Sequence, residues 1–249
     1  MRSCAWSGFY TAAQLHRWHQ AIARRFSCRD FTAAPDMSQK SILHYAAARV
    51  CLPGVRIHLN GCDSSRLFFS LPFVPAIKGA AQYAALIADM NSPNARLHAG
   101  ISGEALVLEA TSLGLGTCWV AGTYRRSELN IPLTGREKML AVIPFGVPAD
   151  PAGASGRVRK PLRQLCRDDP AQWPLWAFNA AEAVRAAPSG LNRQPWRFSC
   201  TGNTMMLTSR RFGTLDDGIA VLHMECALAD AQRAWQFGER ARSVLVRSD

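Results

Sequence analysis

The stretch AAPSGLNRQPWRFS, residues 186–199, joins a predicted helix to a predicted strand and carries polar side chains between two prolines. Its polar side chains and prolines are Pro188, Ser189, Asn192, Arg193, Gln194 and Pro195. Amide side chains hold both donors and acceptors, which suits the edge of a heterocycle such as a flavin or a nucleobase. The prolines limit backbone freedom and so position these groups in advance. The alternative is a structural loop whose side chains cap backbone groups, and chemistry alone leaves both open. We call residues 188–195 the elbow.

Two basic clusters could bind an anion. Arg25, Ser27 and Arg29 alternate just past the first predicted helix, so in an extended chain they project to one side. Arg157 and Arg159 alternate in the same way after a Pro- and Gly-rich loop. Arginine makes bidentate contacts with phosphate, whereas a lone basic run is most often a solvated surface. Together with the elbow, the two clusters favour one shared anionic ligand.

A glycine-rich stretch, GLGTCWVAG at 114–122, could let the backbone approach a planar ligand. The alternative is a helix end followed by a buried edge. It is not a dinucleotide fingerprint, because it follows a helix and lacks the G-x-G-x-x-G spacing. The chain also lacks the G-x-S-x-G, P-loop and H-E-x-x-H motifs, so hydrolase, nucleotide-triphosphatase and zinc-protease functions have no support.

Composition narrows the class of protein and its partners. The 249 residues are 48% apolar and 19% charged, as in an ordinary globular protein. Lys and Arg number 29 against 18 acidic residues, and the resulting charge of +11 favours anionic partners. No apolar run is long enough to span a membrane, and the N-terminus does not resemble a secretory signal. Eight cysteines without a C-x-x-C pair predict no metal site, no disulfide scaffold and a cytoplasmic location.

Periodicity predicts the elements that position these residues. The expected helices cover 11–27, 38–49, 101–119, 173–187 and 215–237, the expected strands 55–60, 66–70 and 138–146, and a hairpin 194–209; the segment 80–88 is left open between helix and strand. Helices and strands alternate without a regular strand–helix–strand rhythm, which predicts an α+β fold. Two helices also share an apolar pattern at an offset of 116 residues, a weak sign of duplication.

Three stretches carry a resemblance to a known family: APSGLNRQPWRF, GEALVLEATSLGLGTCWVAG and LDDGIAVLHMECAL. In order and spacing they resemble the nitroreductase family of FMN-dependent flavoproteins, and more narrowly the "TM nitroreductase" subfamily. The single chain of that subfamily looks like two shortened nitroreductase halves. The resemblance covers residues 15 to 237. It implies an antiparallel or mixed sheet packed by helices, with similar halves at 11–165 and 166–245 that form a pseudo-dimer.

The resemblance also implies which residues bind the cofactor. They are Arg25, Ser27, Arg29, Val120, Ala121, Gly122, Arg157, Arg159, Pro188, Ser189, Asn192 and Gln194. The basic clusters match positions that hold the FMN phosphate and ribityl chain, the elbow matches the segment that meets the isoalloxazine ring, and 120–122 passes the other side of the ring. Phe26 interrupts the family pattern, so either Arg24 or Arg25 could face the phosphate. The first half lacks a second elbow, which predicts one flavin per chain.

The implied activity is transfer of hydride from NAD(P)H through FMN to a nitroaromatic, a quinone or a similar electron-poor acceptor. No catalytic side chain is expected, because the cofactor carries the chemistry. The expected partner is a small-molecule acceptor, with no nucleic acid and no membrane, and the chain is expected to be a monomer or a weak homodimer. The alternatives are a flavin protein that stores or senses FMN without turnover and, less favoured, a basic nucleic-acid-binding protein.

Overall fold

The chain folds into two compact units built from helices and antiparallel sheets. The central unit is Arg24–Arg157, and the terminal unit combines Met1–Ala23 with Val158–Asp249. The structure is a computed structural model that describes residues 8–153, 158–237 and 243–247. The expected halves, 11–165 and 166–245, divide the chain elsewhere, and their relation by duplication stays a prediction.

Seven α-helices and nine strands lie in the described residues. The helices are α1 Ala12–Arg24, α2 Met37–Arg49, α3 Ser64–Leu67, α4 Ala95–Ser112, α5 Leu162–Leu165, α6 Leu175–Arg185 and α7 Leu215–Asp230. The strands are β1 Phe31–Ala33, β2 Val55–Gly61, β3 Gln82–Asp89, β4 Gly116–Thr117, β5 Glu137–Pro148, β6 Trp196–Thr201, β7 Thr204–Ser209, β8 Trp235–Phe237 and β9 Ser243–Arg247. This mixture of helices and antiparallel strands confirms the α+β class. None of these helices combines the length and apolar character needed to cross a bilayer.

The central unit is organised around β5, which lies between β1 and β3 in the sheet order β1-β5-β3-β2, with β4 also paired to it. Every strand pair is antiparallel. Residues 139–146 are all buried, as expected for a central strand. The central position and burial of β5 confirm the strand predicted at 138–146. The segment left open at 80–88 forms β3, because it pairs with strands on both sides.

The helices of the central unit differ from the sequence predictions at two points. Helix α4 begins at Ala95, earlier than expected, and ends before Gly114, whose φ of +81° stops the helix. The strand expected at 66–70 was wrong. The Asp63 side chain accepts a hydrogen bond from the backbone N–H of Ser65 and caps the short helix α3.

The terminal unit has a second antiparallel sheet, in the order β6-β7-β9-β8. The predicted hairpin is confirmed, with Thr201 paired to Thr204 across its turn. Helix α7 ends at Asp230, so the helix expected over 215–237 was too long. Gln232 adopts a φ of +53°, and Trp235 begins β8, which pairs with β9. Strand β9 was not anticipated.

Helix α1 follows its sequence pattern closely. The Thr11 N–H donates to the Gln14 side chain at 3.0 Å, and the Gln14 N–H donates to the Thr11 hydroxyl at 3.3 Å. This is the reciprocal cap predicted by the spacing. The predicted apolar face is buried, and it comprises Leu15, Trp18, Ala21 and Ile22.

One buried carboxyl group of the terminal unit should make stability depend on pH. Burial raises the pKa of Glu225 to about 7 from an ordinary value of 4.5, although the backbone N–H of Gly8 opposes the shift. Between these values the folded protein holds a proton that the unfolded chain has lost, so the free energy of unfolding falls as pH rises and levels off above 7. We expect a loss of about 1 kcal/mol from pH 6 to pH 7 in chemical denaturation. Glu225→Gln should flatten that slope, and an unchanged slope in this variant would contradict the assignment.

Candidate functional site

The elbow has an unusual backbone. Leu191, Asn192 and Gln194 adopt φ angles of 51°, 53° and 47°, so three of four consecutive residues are left-handed although none is glycine. Left-handed backbone costs about 1–2 kcal/mol for each such residue and persists only where the surroundings enforce it. Strain of this kind concentrates at functional sites. The elbow is therefore a strained turn held by other groups.

The segment 158–160 holds the elbow from one side. The Arg159 guanidinium donates to Asn192 Oδ1 at 3.1 Å and to the Ala186 carbonyl at 3.1 Å. In return, Asn192 Nδ2 donates to the Val158 carbonyl at 3.0 Å. The Lys160 ammonium donates to the Arg193 carbonyl at 2.6 Å. The predicted residues Arg159 and Asn192 are thus brought into direct contact within the terminal unit.

Gln194 is the buried centre of this network, with 2% of its surface exposed. Its Oε1 accepts from the Lys160 N–H at 2.9 Å, and its Nε2 donates to Asn192 O at 3.3 Å and Oδ1 at 3.2 Å. The Gln194 N–H donates to Ser189 Oγ at 2.9 Å. Both atoms of the amide are therefore engaged in holding the elbow, as in the structural alternative weighed from the sequence. A contact of Gln194 with a flavin stays a prediction.

Asp216 supports the elbow from α7, and sequence reasoning missed it. Its carboxylate accepts from the Gly190 N–H at 3.0 Å and 3.2 Å. Burial raises the pKa of Asp216, while the Gly190 hydrogen bond opposes the shift. The next residue, Asp217, forms a capping box with Thr214 at the start of α7. The sequence signal that could have identified Asp216 is the LDDG motif at the start of the third family-like stretch.

The left-handed elbow predicts an inverted order of stability for two small residues at position 191. The Leu191 side chain is 72% exposed, so its replacement removes little packing. Glycine normally destabilises relative to alanine, but at a φ of 51° it avoids the Cβ clash. We expect Leu191→Gly to exceed Leu191→Ala by about 1 kcal/mol in the free energy of unfolding. Equal stability of the two variants in urea would show that this position is not left-handed.

In the central unit, the predicted Arg25 forms a buried ion pair that the sequence did not reveal. Arg25 is 2% exposed, and its Nε lies 3.9 Å from Oε1 of the fully buried Glu104. The Trp119 indole donates to Glu104 Oε2 at 2.7 Å. Burial lowers the pKa of the Arg25 guanidinium and Glu104 opposes that shift, although an arginine stays protonated. Arg24 is exposed, so of the two arginines Arg25 is the one committed to the interior.

Gly103 explains why this network forms against α4. A Cβ at this position would come within 2.4 Å of the Trp119 ring. The glycine therefore lets the indole lie directly on the helix, beside Glu104. The GE pair that opens the second family-like stretch thus has a packing role and an electrostatic role.

The other predicted residues of the central unit differ in their exposure. Ser27 is half-buried and bridges to Thr117, while Arg29 is exposed. Val120 is buried and bridges to Val142, and a Cβ on the exposed Gly122 would meet no atom within 4 Å. Ala121 is also exposed, and Pro188 in the terminal unit is buried. Arg157 lies outside the described residues, and the predicted convergence of these positions on one cofactor stays a prediction.

Cys118 and His223 are core side chains, and the described residues hold no metal centre. Their cysteines are free thiols, and burial raises the pKa of Cys118, which makes it a poor nucleophile. His223 Nδ1 lies 2.9 Å from the Ala183 carbonyl and donates to it, as a core histidine does. Within 8–153, 158–237 and 243–247, no group of His, Cys, Asp and Glu could hold a metal ion.

These elements define a nitroreductase-like fold. The crystal structure of a "putative nitroreductase" from Thermotoga maritima matches with a TM-score of 0.68 and 23% sequence identity, over 92% of this chain and 93% of that chain. The family model described as "Putative TM nitroreductase" matches residues 18–228. The chain therefore belongs to this family, as its sequence motifs indicated, and to the oxidoreductase class that the family represents.

Shorter nitroreductase chains match only part of the protein. A "putative nitroreductase" from Desulfovibrio desulfuricans, solved in complex with FMN, matches with a TM-score of 0.49 and 20% identity, over 63% of this chain and 98% of that chain. An FMN-dependent nitroreductase from Clostridium difficile matches with a TM-score of 0.43 and 19% identity, over 52% of this chain and 87% of that chain. No curated protein sequence matches the chain significantly. The fold assignment rests on the Thermotoga structure.

Proposed function

We propose that this chain is an FMN-dependent oxidoreductase that passes hydride from NAD(P)H to a nitroaromatic, a quinone or a similar electron-poor acceptor. The proposal rests on family membership together with one observation, the strained elbow pinned by Arg159, Gln194 and Asp216. A turn held so tightly presents its exposed face in one conformation. Such preorganisation reduces the entropic cost of binding a rigid ring.

The residues of the elbow fit the cofactor chemically. Gly190, Leu191, Asn192 and Arg193 are exposed, so their backbone and side-chain groups are accessible to a ligand. Arg159 and Lys160 are half-buried cations beside them, which suits a ring that becomes negatively charged on reduction. We propose that the exposed elbow orients the edge of the ring, while Gln194 acts beneath it as a positioning residue. FMN, when bound, supplies the hydride-transfer chemistry.

The contribution of this chain is then orientation and electrostatics. Arg159 and Lys160 place positive charge at the elbow, and Asp216 keeps the Gly190 N–H in place. We also propose that the partner is a small-molecule acceptor, without nucleic acid or membrane, and that the chain is a monomer or a weak homodimer in the cytoplasm.

Purification with added FMN, followed by a visible spectrum and steady-state assays, tests the proposal. We expect one FMN per chain and oxidation of NADH or NADPH that depends on an added quinone or nitroaromatic. The absence of retained flavin would overturn the assignment. A bound flavin without turnover would favour the storage or sensing alternative, and two flavins per chain would contradict the single elbow.

A further inference from the structure

The outer face of the hairpin in the terminal unit carries a groove that shares only Pro195 with the elbow. Its volume is about 260 Å³. Its lining residues are Arg167, Pro195, Arg197, Thr208, Ser209 and Arg210. We call it the arginine groove. Three cations and two hydroxyls in one concavity indicate a preference for anions.

Strand register explains why the arginines meet. Arg197 on β6 pairs directly with Thr208 on β7, and Arg210 follows the end of β7. The flanking residues Trp196 and Phe198 are fully buried, so Arg197 points to the solvent face by strand alternation.

A third segment supplies Arg167. Cys166 bridges to Phe198 in parallel, and the Arg167 N–H donates to the Phe198 carbonyl at 2.9 Å. Paired residues share a face, so Cys166 is on the same face as Phe198. Its neighbour Arg167 is therefore on the opposite face, where Arg197 also lies. Sheet geometry therefore gathers cations from three separate segments of the chain.

Within the part of the chain that the structure describes, the charges of Arg167, Arg197 and Arg210 form no ion pair with a carboxylate. The Arg197 guanidinium donates to the Trp196 carbonyl at 2.8 Å, a bond to a neutral group. The nearby Asp168 accepts instead from the Trp173 indole at 2.9 Å and the Cys200 N–H at 3.1 Å. The positive charge of the groove is therefore available to a ligand.

We propose that the arginine groove is a binding site for a diphosphate group, either free or as part of a nucleotide. Guanidinium groups match phosphate oxygens in bidentate geometry, and several arginines favour an ion with more than one negative charge. The volume falls just below the range of about 300–1,000 Å³ typical of whole small-molecule sites, which suits one polar group of a ligand. The proposal is independent of FMN binding.

Calorimetric titration of the full chain with sodium pyrophosphate at constant ionic strength tests this site. We expect Arg197→Ala and Arg210→Ala each to weaken pyrophosphate binding at least about tenfold. Arg163→Ala removes the same charge from an exposed position of α5 outside the groove and should change affinity less than about twofold. Using two groove variants guards against a single misfolded protein, and thermal melts confirm that each is folded.

The choice of titrant separates the sources of the diphosphate. Binding of both pyrophosphate and ADP, lost in both groove variants, supports recognition of the shared group. Binding of ADP alone, with the same loss, supports a nucleotide as the source. Binding of neither, an equal loss in Arg163→Ala, or binding only of a single-stranded oligonucleotide would overturn the proposal.

Discussion

Glu104→Ala is expected to lower the free energy of unfolding by about 3–5 kcal/mol, the usual cost of removing one partner of a buried ion pair. Glu104 is fully buried, and Arg25 is 2% exposed. Without the carboxylate, the buried Arg25 guanidinium loses its ion pair with Glu104, and the Trp119 indole loses its acceptor. Chemical denaturation of the full chain measures the effect.

An exposed ion pair in the same unit provides the matched control. Arg66 and Glu128 lie 3.2 Å apart, with the Arg66 side chain 71% exposed. Glu128→Ala makes the same chemical change, but solvent already screens this pair, so the expected loss is below about 1 kcal/mol. Equal destabilisation by Glu104→Ala and Glu128→Ala would show that burial does not control the strength of the Arg25–Glu104 interaction.

A double substitution tests whether the loss of the Arg25–Glu104 ion pair is the cause. Arg25→Met combined with Glu104→Leu removes both charges and fills much of their volume. Such replacements of buried pairs are often neutral or stabilising, so the double variant should be more stable than Glu104→Ala. A double variant as unstable as the single one would instead assign the loss to the orphaned Trp119 indole.

The sequence predicted elements well where local chemistry decides the structure. The Thr11–Gln14 cap fixed the start of α1, and the apolar run at 138–146 fixed the central strand. The sequence predictions were wrong where a segment distant in the chain determines the local structure. Trp235 and its neighbours continue the pattern of α7 but form β8, because β9 lies beside them.

The strained turn of the structure falls in the elbow that the sequence singled out, but the roles of its side chains were less predictable. The sequence presented Gln194 as a group for a ligand, whereas the structure uses both of its amide atoms inside the protein. Glu104 and Asp216 each lie in a helix, and the residues next to them in the sequence do not indicate which group each carboxylate contacts. Their partners, Arg25 and Gly190, are far away in the chain, and spacing rules carry no information about such pairs.

Gln194→Ala is expected to weaken FMN binding by about 10- to 100-fold, if the elbow holds the cofactor as proposed. The substitution leaves the Lys160 N–H without its acceptor and removes both bonds to Asn192. An unsatisfied buried donor alone costs about 1–3 kcal/mol, so the free energy of unfolding should fall as well. The strained backbone of residues 191–194 would then relax, and the preorganised face would be lost.

Two readouts separate a structural role of Gln194 from a role in the proposed function. Denaturation without FMN reports the elbow alone, and FMN titration reports the site. Gln172→Ala is the matched control, because Gln172 is exposed in the same unit and outside the elbow. A large loss of stability in Gln194→Ala with unchanged FMN affinity would retain the hydrogen-bond network but remove the elbow from the cofactor site. Loss of both stability and FMN affinity in Gln194→Ala, with neither loss in Gln172→Ala, would link the strained turn to flavin binding. The atoms removed lie beneath the surface that the ligand would touch, so they would act on the flavin through the turn.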